Sequence, residues 1–128
     1  MKGNNRVLLI DDDKDDQMFL HQAIIDLFPA MECIELSNGK TALEFIEQNP
    51  PPPHYIFLDL NMPYLNGFEF LQKFKREVQN RETIIYIYST SSNPKDKEKA
   101  KKLGADDYIV KDSDVGSLKA KLKNVIQN

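Results

Sequence analysis

Four groups of side chains in this chain have the types and spacing to act in one reaction: Asp11, Asp12 and Asp13, the separate acid Asp59, the hydroxyl run Ser89-Thr90-Ser91-Ser92, and Lys111. Each directly follows a short apolar run that reads as a strand. In an open parallel α/β sheet, ligands bind outside the carboxyl ends of the strands, near the switch in strand order. Carboxylates gathered at such a place repel one another unless a cation neutralises them or a proton is shared. Oxygen donors without a nearby His or Cys select a hard cation, and Mg²⁺ fits best. A hydroxyl and an ammonium at the same mouth could bind phosphoryl oxygens. A plainer reading of Asp11–Asp16 is a helix start, where acids favour the positive end of the dipole. That reading suffices for Asp13, Asp15 and Asp16; Asp11 and Asp12 differ because Asp59 independently ends another core strand.

The elements that must position these groups are legible from pattern. Strands are expected at Arg6–Ile10, Met31–Leu36, Tyr55–Leu58, Thr83–Tyr88 and Tyr108–Val110, which are rich in Val, Ile, Leu and Tyr. The first, third and fourth are nearly continuous in apolar residues, as expected when helices cover both faces of a sheet. Helices are expected at Gln17–Leu27, Thr41–Gln48, Gly67–Gln79, Pro94–Leu103 and Asp114–Ile126. In the first of these Met18, Ile24, Ile25 and Phe28 lie near one stripe, with Leu20 and Leu27 close by, and Pro29 ends the helix. The fourth opens on Pro94 and stops at Gly104. Pro50–Pro53 reads as a stiff surface connection. Five βα units in strict alternation imply an α/β fold, a parallel sheet with helices on both faces.

The 128 residues fit a single domain spanning 1–128, with a core from about residue 6 to 126. One cysteine, Cys33, allows no internal disulfide and reads as a small core residue. The start, MKGNNRVLLIDDD, is too short in apolar residues for a signal peptide or membrane span, so a cytoplasmic location is the default expectation. The net charge of −3 is uneven: residues 1–80 carry 13 acids against 7 bases, and residues 81–128 carry 7 against 10. The basic excess, mostly Lys95–Lys102 and Lys119–Lys123, fits either two solvated helix faces or a partner-facing surface. No recognised motif points to nucleic acid. His21 and His54 read as surface or packing residues.

The phrases VLLIDDD, FLDLNMPYLNG, YST and GADDYIVK, with Asp59, Ser89 and Lys111 at their mutual spacing, resemble the receiver domain of bacterial two-component response regulators. The resemblance runs from Arg6 to about Ile126. DDDKDD with LDLNMP and STSSNP is most similar to the single-domain, phytochrome-associated subgroup. It implies a flavodoxin-like, three-layer doubly wound (βα)5 fold with a five-stranded sheet in the order 2-1-3-4-5. It also implies a stand-alone regulator in phosphorelay signal transduction. Asp59 would be nucleophile and phospho-acceptor, taking its group from phosphohistidine on a sensor histidine kinase or phosphotransfer protein. Asp12, Asp59 and the backbone carbonyl of Asn61 would ligate Mg²⁺, with Asp11 holding metal-bound water. Lys111 would neutralise phosphoryl charge and the Ser89 hydroxyl would close onto the group. Ser89 and Tyr108 would form the switch, although ordinary edge packing also accounts for Tyr108. Pro63 and Gly67 would shape the loop after Asp59, and Asn61 and Ser91 would tune phosphoryl lifetime. The readout, to a downstream protein or a second copy, would use the fourth helix, fifth strand and fifth helix. With no output segment after Ile126, the expectation is a protein partner, not an independent enzyme: self-phosphorylation and autodephosphorylation only.

One departure stands out. The family carries proline after the lysine, with a cis bond; here Asp112 follows Lys111. A cis bond before a non-proline costs about 2.5–4 kcal/mol. Slower or altered phosphorylation is therefore expected relative to Asp112→Pro, and equal acetyl-phosphate labelling rates would count against it. Three rivals remain in view. A passive binding module of the same fold would not respond to beryllofluoride. An aspartyl phosphatase of the haloacid dehalogenase type needs an acid where Asn61 stands. A flavodoxin-like electron carrier would place its flavin phosphate against Asp11–Asp13, which repel it.

Overall fold

The computed structural model describes residues 5–78 and 82–126. Among them, strands and helices alternate: β1 (Arg6–Ile10), α1 (Lys14–Leu27), β2 (Glu32–Leu36), α2 (Gly39–Gln48), β3 (Tyr55–Leu58), α3 (Gly67–Glu77), β4 (Ile84–Ser89), α4 (Pro94–Lys102), β5 (Asp107–Val110) and α5 (Val115–Val125). The strands form one parallel sheet in the order β2-β1-β3-β4-β5. This is the expected flavodoxin-like α/β fold. The expected third-helix extension to Gln79 and the ends of the 1–128 span lie outside the described residues.

Side chains alternate across each strand, so a strand covered on both faces divides its apolar residues between two cores. Leu8, Ile10, Ile56, Leu58, Ile85 and Ile87 pack with Ala42, Ile46, Phe70, Leu71, Phe74 and Ala100 of α2, α3 and α4. Val7, Leu9, Tyr55, Phe57, Tyr86 and Tyr88 pack with Leu20, Ala23, Ile24, Leu118 and Leu122 of α1 and α5. This division is the three-layer architecture. It explains why the central strands read as unbroken apolar runs.

Every helix starts on a side-chain cap. Asp13, Asn38, Asn66, Asn93 and Asp114 each accept a backbone N–H from the first turn, and Asn66 forms a reciprocal capping box with Glu69. Capping by Asp13 starts α1 at Lys14, three residues before the expected Gln17. The expected stripe also needs correction. Met18 is 64% exposed, and Gln17 takes the inward position. The reason is polar: Gln17 Nε2 donates to the carbonyls of Leu9 (3.1 Å) and Leu36 (2.8 Å), acceptors an apolar side chain would leave less well satisfied. In the proline run Pro53 is buried, so only its start is surface. Gly104, at φ 107, makes the left-handed turn after α4 that a side chain resists.

Cys33 is half-buried on β2 against the α1/α5 core. Burial, with a smaller contribution from the charge of Glu35, pushes its thiol up to about 11. The reactive thiolate is therefore scarce at neutral pH. Alkylation of the folded protein at pH 8 is expected to be at least about tenfold slower than in urea, and to accelerate as pH rises toward 11. Equal rates in the two solvents would contradict this burial.

Among the described residues no helix is long and apolar enough to cross a membrane.

Candidate functional site

Parallel register brings the chemistry to one edge of the sheet. Ile10 pairs with Leu58, Leu58 with Ile87, and Ser89 with Val110. Asp11, Asp59 and Lys111, each one residue past its strand, and Ser89, the last residue of β4, therefore emerge at the same mouth. The Asp59 amide donates to Ile10 O (2.9 Å), the Asp11 amide to Leu36 O (3.0 Å) and the Lys111 amide to Ser89 O (2.7 Å), which fixes the backbone of all three.

The carboxylates of Asp11, Asp12 and Asp59 then converge, with one oxygen of each lying within 4.8 Å of the others. Asp11 and Asp59 are only 4% and 6% exposed, while Asp12 faces solvent. Asp11 Oδ1 accepts from the Asp13 amide at 3.0 Å. Its Oδ2 is buried 2.8 Å from Lys111 Nζ, but at an angle that makes no hydrogen bond. Lys111 Nζ lies 2.7 Å from Asp16 Oδ2 and 3.8 Å from Asp59 Oδ1.

Burial, then the negative charge of Asp11, pushes the Asp59 carboxyl up to about 7; Lys111 and the Asn61 amide act in the opposite direction. Burial also raises Asp11, against the pull of Lys111 and the Asp13 amide. For Lys111, burial alone would favour the neutral amine, but the adjacent carboxylates of Asp11 and Asp16 and the charge of Asp59 outweigh it. Three carboxylates thus share one nearby ammonium across the mouth, and a buried oxygen of Asp11 has no hydrogen-bonded partner. This all-oxygen donor set fits a small divalent cation.

The other expected residues take distinct places. Ser89 is fully buried, and its Oγ accepts from the Ser91 amide at 3.2 Å. Tyr108 is half-buried; its hydroxyl donates to Ser91 O at 2.8 Å. Ser89 and Tyr108 are therefore both tied to Ser91. Asn61 is exposed in the loop after β3, and its amide donates to Asp59. The Lys111–Asp112 bond is trans, the only cis bond among the described residues being Pro50–Pro51. Asp112 does not join Lys111: its carboxylate accepts from the Asp114 amide (2.9 Å) and lies 3.8 Å from Lys121. His21 pairs with Glu35 (2.7 Å) and His54 stacks on Tyr55 (4.3 Å). Asp16, read from sequence as helix start alone, reaches the site as well. As an acid in the first turn of α1 its presence was already accounted for, so no signal in the sequence set it apart.

Gly67 opens α3 directly against the β3 exit. A Cβ there would stand 2.4 Å from the Asp59 carbonyl and 2.8 Å from Leu60 Cα. Backbone cannot yield cheaply, so Gly67→Ala should destabilise by about 1–3 kcal/mol. Urea unfolding with an unchanged slope would measure it, and an unaltered midpoint would refute the close approach.

Comparison with known proteins agrees with this geometry. Residues 7–123 match the response regulator receiver domain. Response regulator Rcp1 of Synechocystis sp. is 28% identical over 88% of this chain and 80% of its own length. A probable cyclic di-GMP phosphodiesterase of Vibrio cholerae is 28% identical over 95% of this chain, which spans only 26% of that protein. Among solved structures, the phosphorylated cyanobacterial phytochrome response regulator RcpA aligns with a TM-score of 0.83 at 26% identity, covering 94% of this chain and 89% of that one. The Mn²⁺-bound form of Rcp1 gives a TM-score of 0.80 at 26% identity, with 94% and 90% covered. These neighbours match the phytochrome-associated subgroup read from the sequence. The chain belongs to the response regulator receiver domain family, in keeping with two-component signalling.

Proposed function

We propose that Asp59 accepts a phosphoryl group and that the resulting charge switches a protein–protein interaction. The observation that carries this reading is a buried Asp59 whose carboxylate meets Asp11 and Asp12 within 4.8 Å. An Asp59 Oδ attacks phosphorus of a phosphohistidine on a histidine kinase or phosphotransfer protein. A P–O bond forms, the P–N bond breaks, and the imidazole leaves with the electron pair. Asp12, Asp59 and the Asn61 carbonyl would hold Mg²⁺, with Asp11 on metal-bound water, and the ion would supply positive charge that offsets the carboxylates and phosphoryl oxygens. Lys111 brings its ammonium to a phosphoryl oxygen. The Ser89 hydroxyl accepts from the Ser91 amide, so its own proton remains available for donation to another.

The same hydrogen bonds support a route outward. Drawing Ser89 toward the phosphoryl group displaces the Ser91 carbonyl that anchors Tyr108. The ring is then free to repack, a population shift biased by local charge. A downstream protein or a second copy would read it on α4, β5 and α5. In this reading the protein acts in the cytoplasm and turns over no substrate beyond its own phosphoryl group.

Beryllofluoride, a phosphoryl mimic, tests the reading. In the presence of Mg²⁺ it should shift the amide resonances of Ser89, Ser91 and Tyr108, and Asp59→Asn should remove the effect. An unchanged spectrum would leave a passive module of the same fold.

A further inference from the structure

Lys111 lies closer to Asp16 and Asp11 than to Asp59, the residue it is proposed to serve. Its Nζ is 2.7 Å from Asp16 Oδ2 and 2.8 Å from Asp11 Oδ2, but 3.8 Å from Asp59 Oδ1. Of these carboxylates, Asp16 alone stands outside the Asp11, Asp12 and Asp59 cluster. It projects from the first turn of α1, where its own amide is bonded to the cap Asp13 at 3.1 Å. It lines a cleft of about 400 Å³ with Asp15, Phe19, Tyr88, Thr90 and Lys111. Lys111 Nζ also lies 5.5 Å from the centre of the Tyr88 ring, on that cleft wall.

We infer that Asp16 is a positioning residue that latches Lys111 in the cleft, and that the latch must loosen before the ammonium can serve a phosphoryl group on Asp59. This rests on the reading of Asp59 as acceptor. An ammonium has three protons to distribute. Hydrogen bonds between two ionised groups are roughly twice as strong as neutral ones, so a charged Asp16 competes directly with a phosphoryl oxygen. Asp16 therefore acts as a brake on phosphorylation. Asp16→Asn keeps the shape and a helix-starting side chain but weakens the grip. Asp15→Asn removes the same charge from the same turn, and Asp15 makes no ion pair with Lys111 among the described residues. It separates the latch from simple electrostatics.

The test measures Asp59 labelling by phosphoramidate with Mg²⁺ in the wild type, Asp16→Asn, Asp16→Ser and Asp15→Asn. In parallel, ¹⁵N NMR without any phosphoryl donor follows proton exchange of the Lys111 ammonium. Both Asp16 variants should label about 3–10-fold faster, through the maximal rate more than the half-saturating concentration, with ammonium exchange at least about threefold faster. Asp15→Asn should stay within about twofold of wild type in both readouts. If the wild type labels and the Asp16 variants match Asp15→Asn in both readouts, the brake is overturned and the acceptor reading stands. If ammonium exchange responds in the Asp16 variants but no protein labels on Asp59, the acceptor reading fails and the brake falls with it.

Discussion

Asp59→Asn is expected to eliminate phosphoryl incorporation, with a rate at least about 1,000-fold below wild type, on the scale seen when an enzyme loses its nucleophile. The wild type, incubated with phosphoramidate and Mg²⁺, should gain the mass of one phosphoryl group. The variant should gain none over the same period. The argument is chemical: the Asn oxygen belongs to a neutral amide and cannot yield a stable acyl phosphate by displacement. Two of the neighbouring groups offer no ready substitute. Asp11 is buried against Lys111 and bonded to the Asp13 amide, and Ser89 is fully buried. Substantial incorporation in Asp59→Asn would mean that another side chain is the acceptor.

The same substitution should make the metal-free protein more stable. Asp59 in the folded state is pushed up to about 7, while its ordinary value is 3.8. A carboxyl raised on folding binds protons more tightly in the native state. Its stabilising contribution is complete below the unfolded value and is lost as pH rises through the folded one. Wild-type stability should therefore fall between about pH 4 and pH 7, and the neutral Asn should escape that loss. A shift of this size corresponds to at most about 4 kcal/mol. Sharing of charge with Asp11 and Lys111 reduces the expected gain at pH 8 to about 2 kcal/mol. Denaturant unfolding in chelator at pH 8 and pH 4.5 measures it, and the gain should be much smaller at the lower pH. Adding Mg²⁺ should narrow the gap at pH 8, because a cation that binds the folded wild type stabilises it by mass action. A variant no more stable than wild type at pH 8 would show that the acids do not strain one another.

Much of this was legible from residue pattern because two different signals agree. Continuous apolar runs marked β1, β3 and β4 as strands covered on both faces, and the acids and the hydroxyl of the site lie at or just past their ends. Parallel register turns that coincidence in sequence into proximity, since Ile10 and Leu58 are neighbours and so are their successors. What pattern could not give is side-chain destination. Gln17 is inward and Met18 outward, with the Gln17 amide donating to two carbonyls, a contact invisible to an apolar periodicity. Asp16 failed for a related reason. As an acid in a first helical turn its presence was already explained, so nothing prompted the reading that it also grips a lysine 95 positions away. Asp112 shows the converse: it follows Lys111 directly in the chain, yet its carboxylate is turned to the Asp114 amide and Lys121.

The most direct measurement is to locate the phosphoryl group. The wild type would be treated with acetyl phosphate in Mg²⁺ or in chelator, the acyl phosphate trapped by borohydride reduction, and the modified residue identified by tandem mass spectrometry. Modification at Asp59 alone, present with Mg²⁺ and lost in chelator, is the predicted result. Modification elsewhere, or an equal yield without the cation, would contradict the proposal that these carboxylates form one metal-assisted acceptor site.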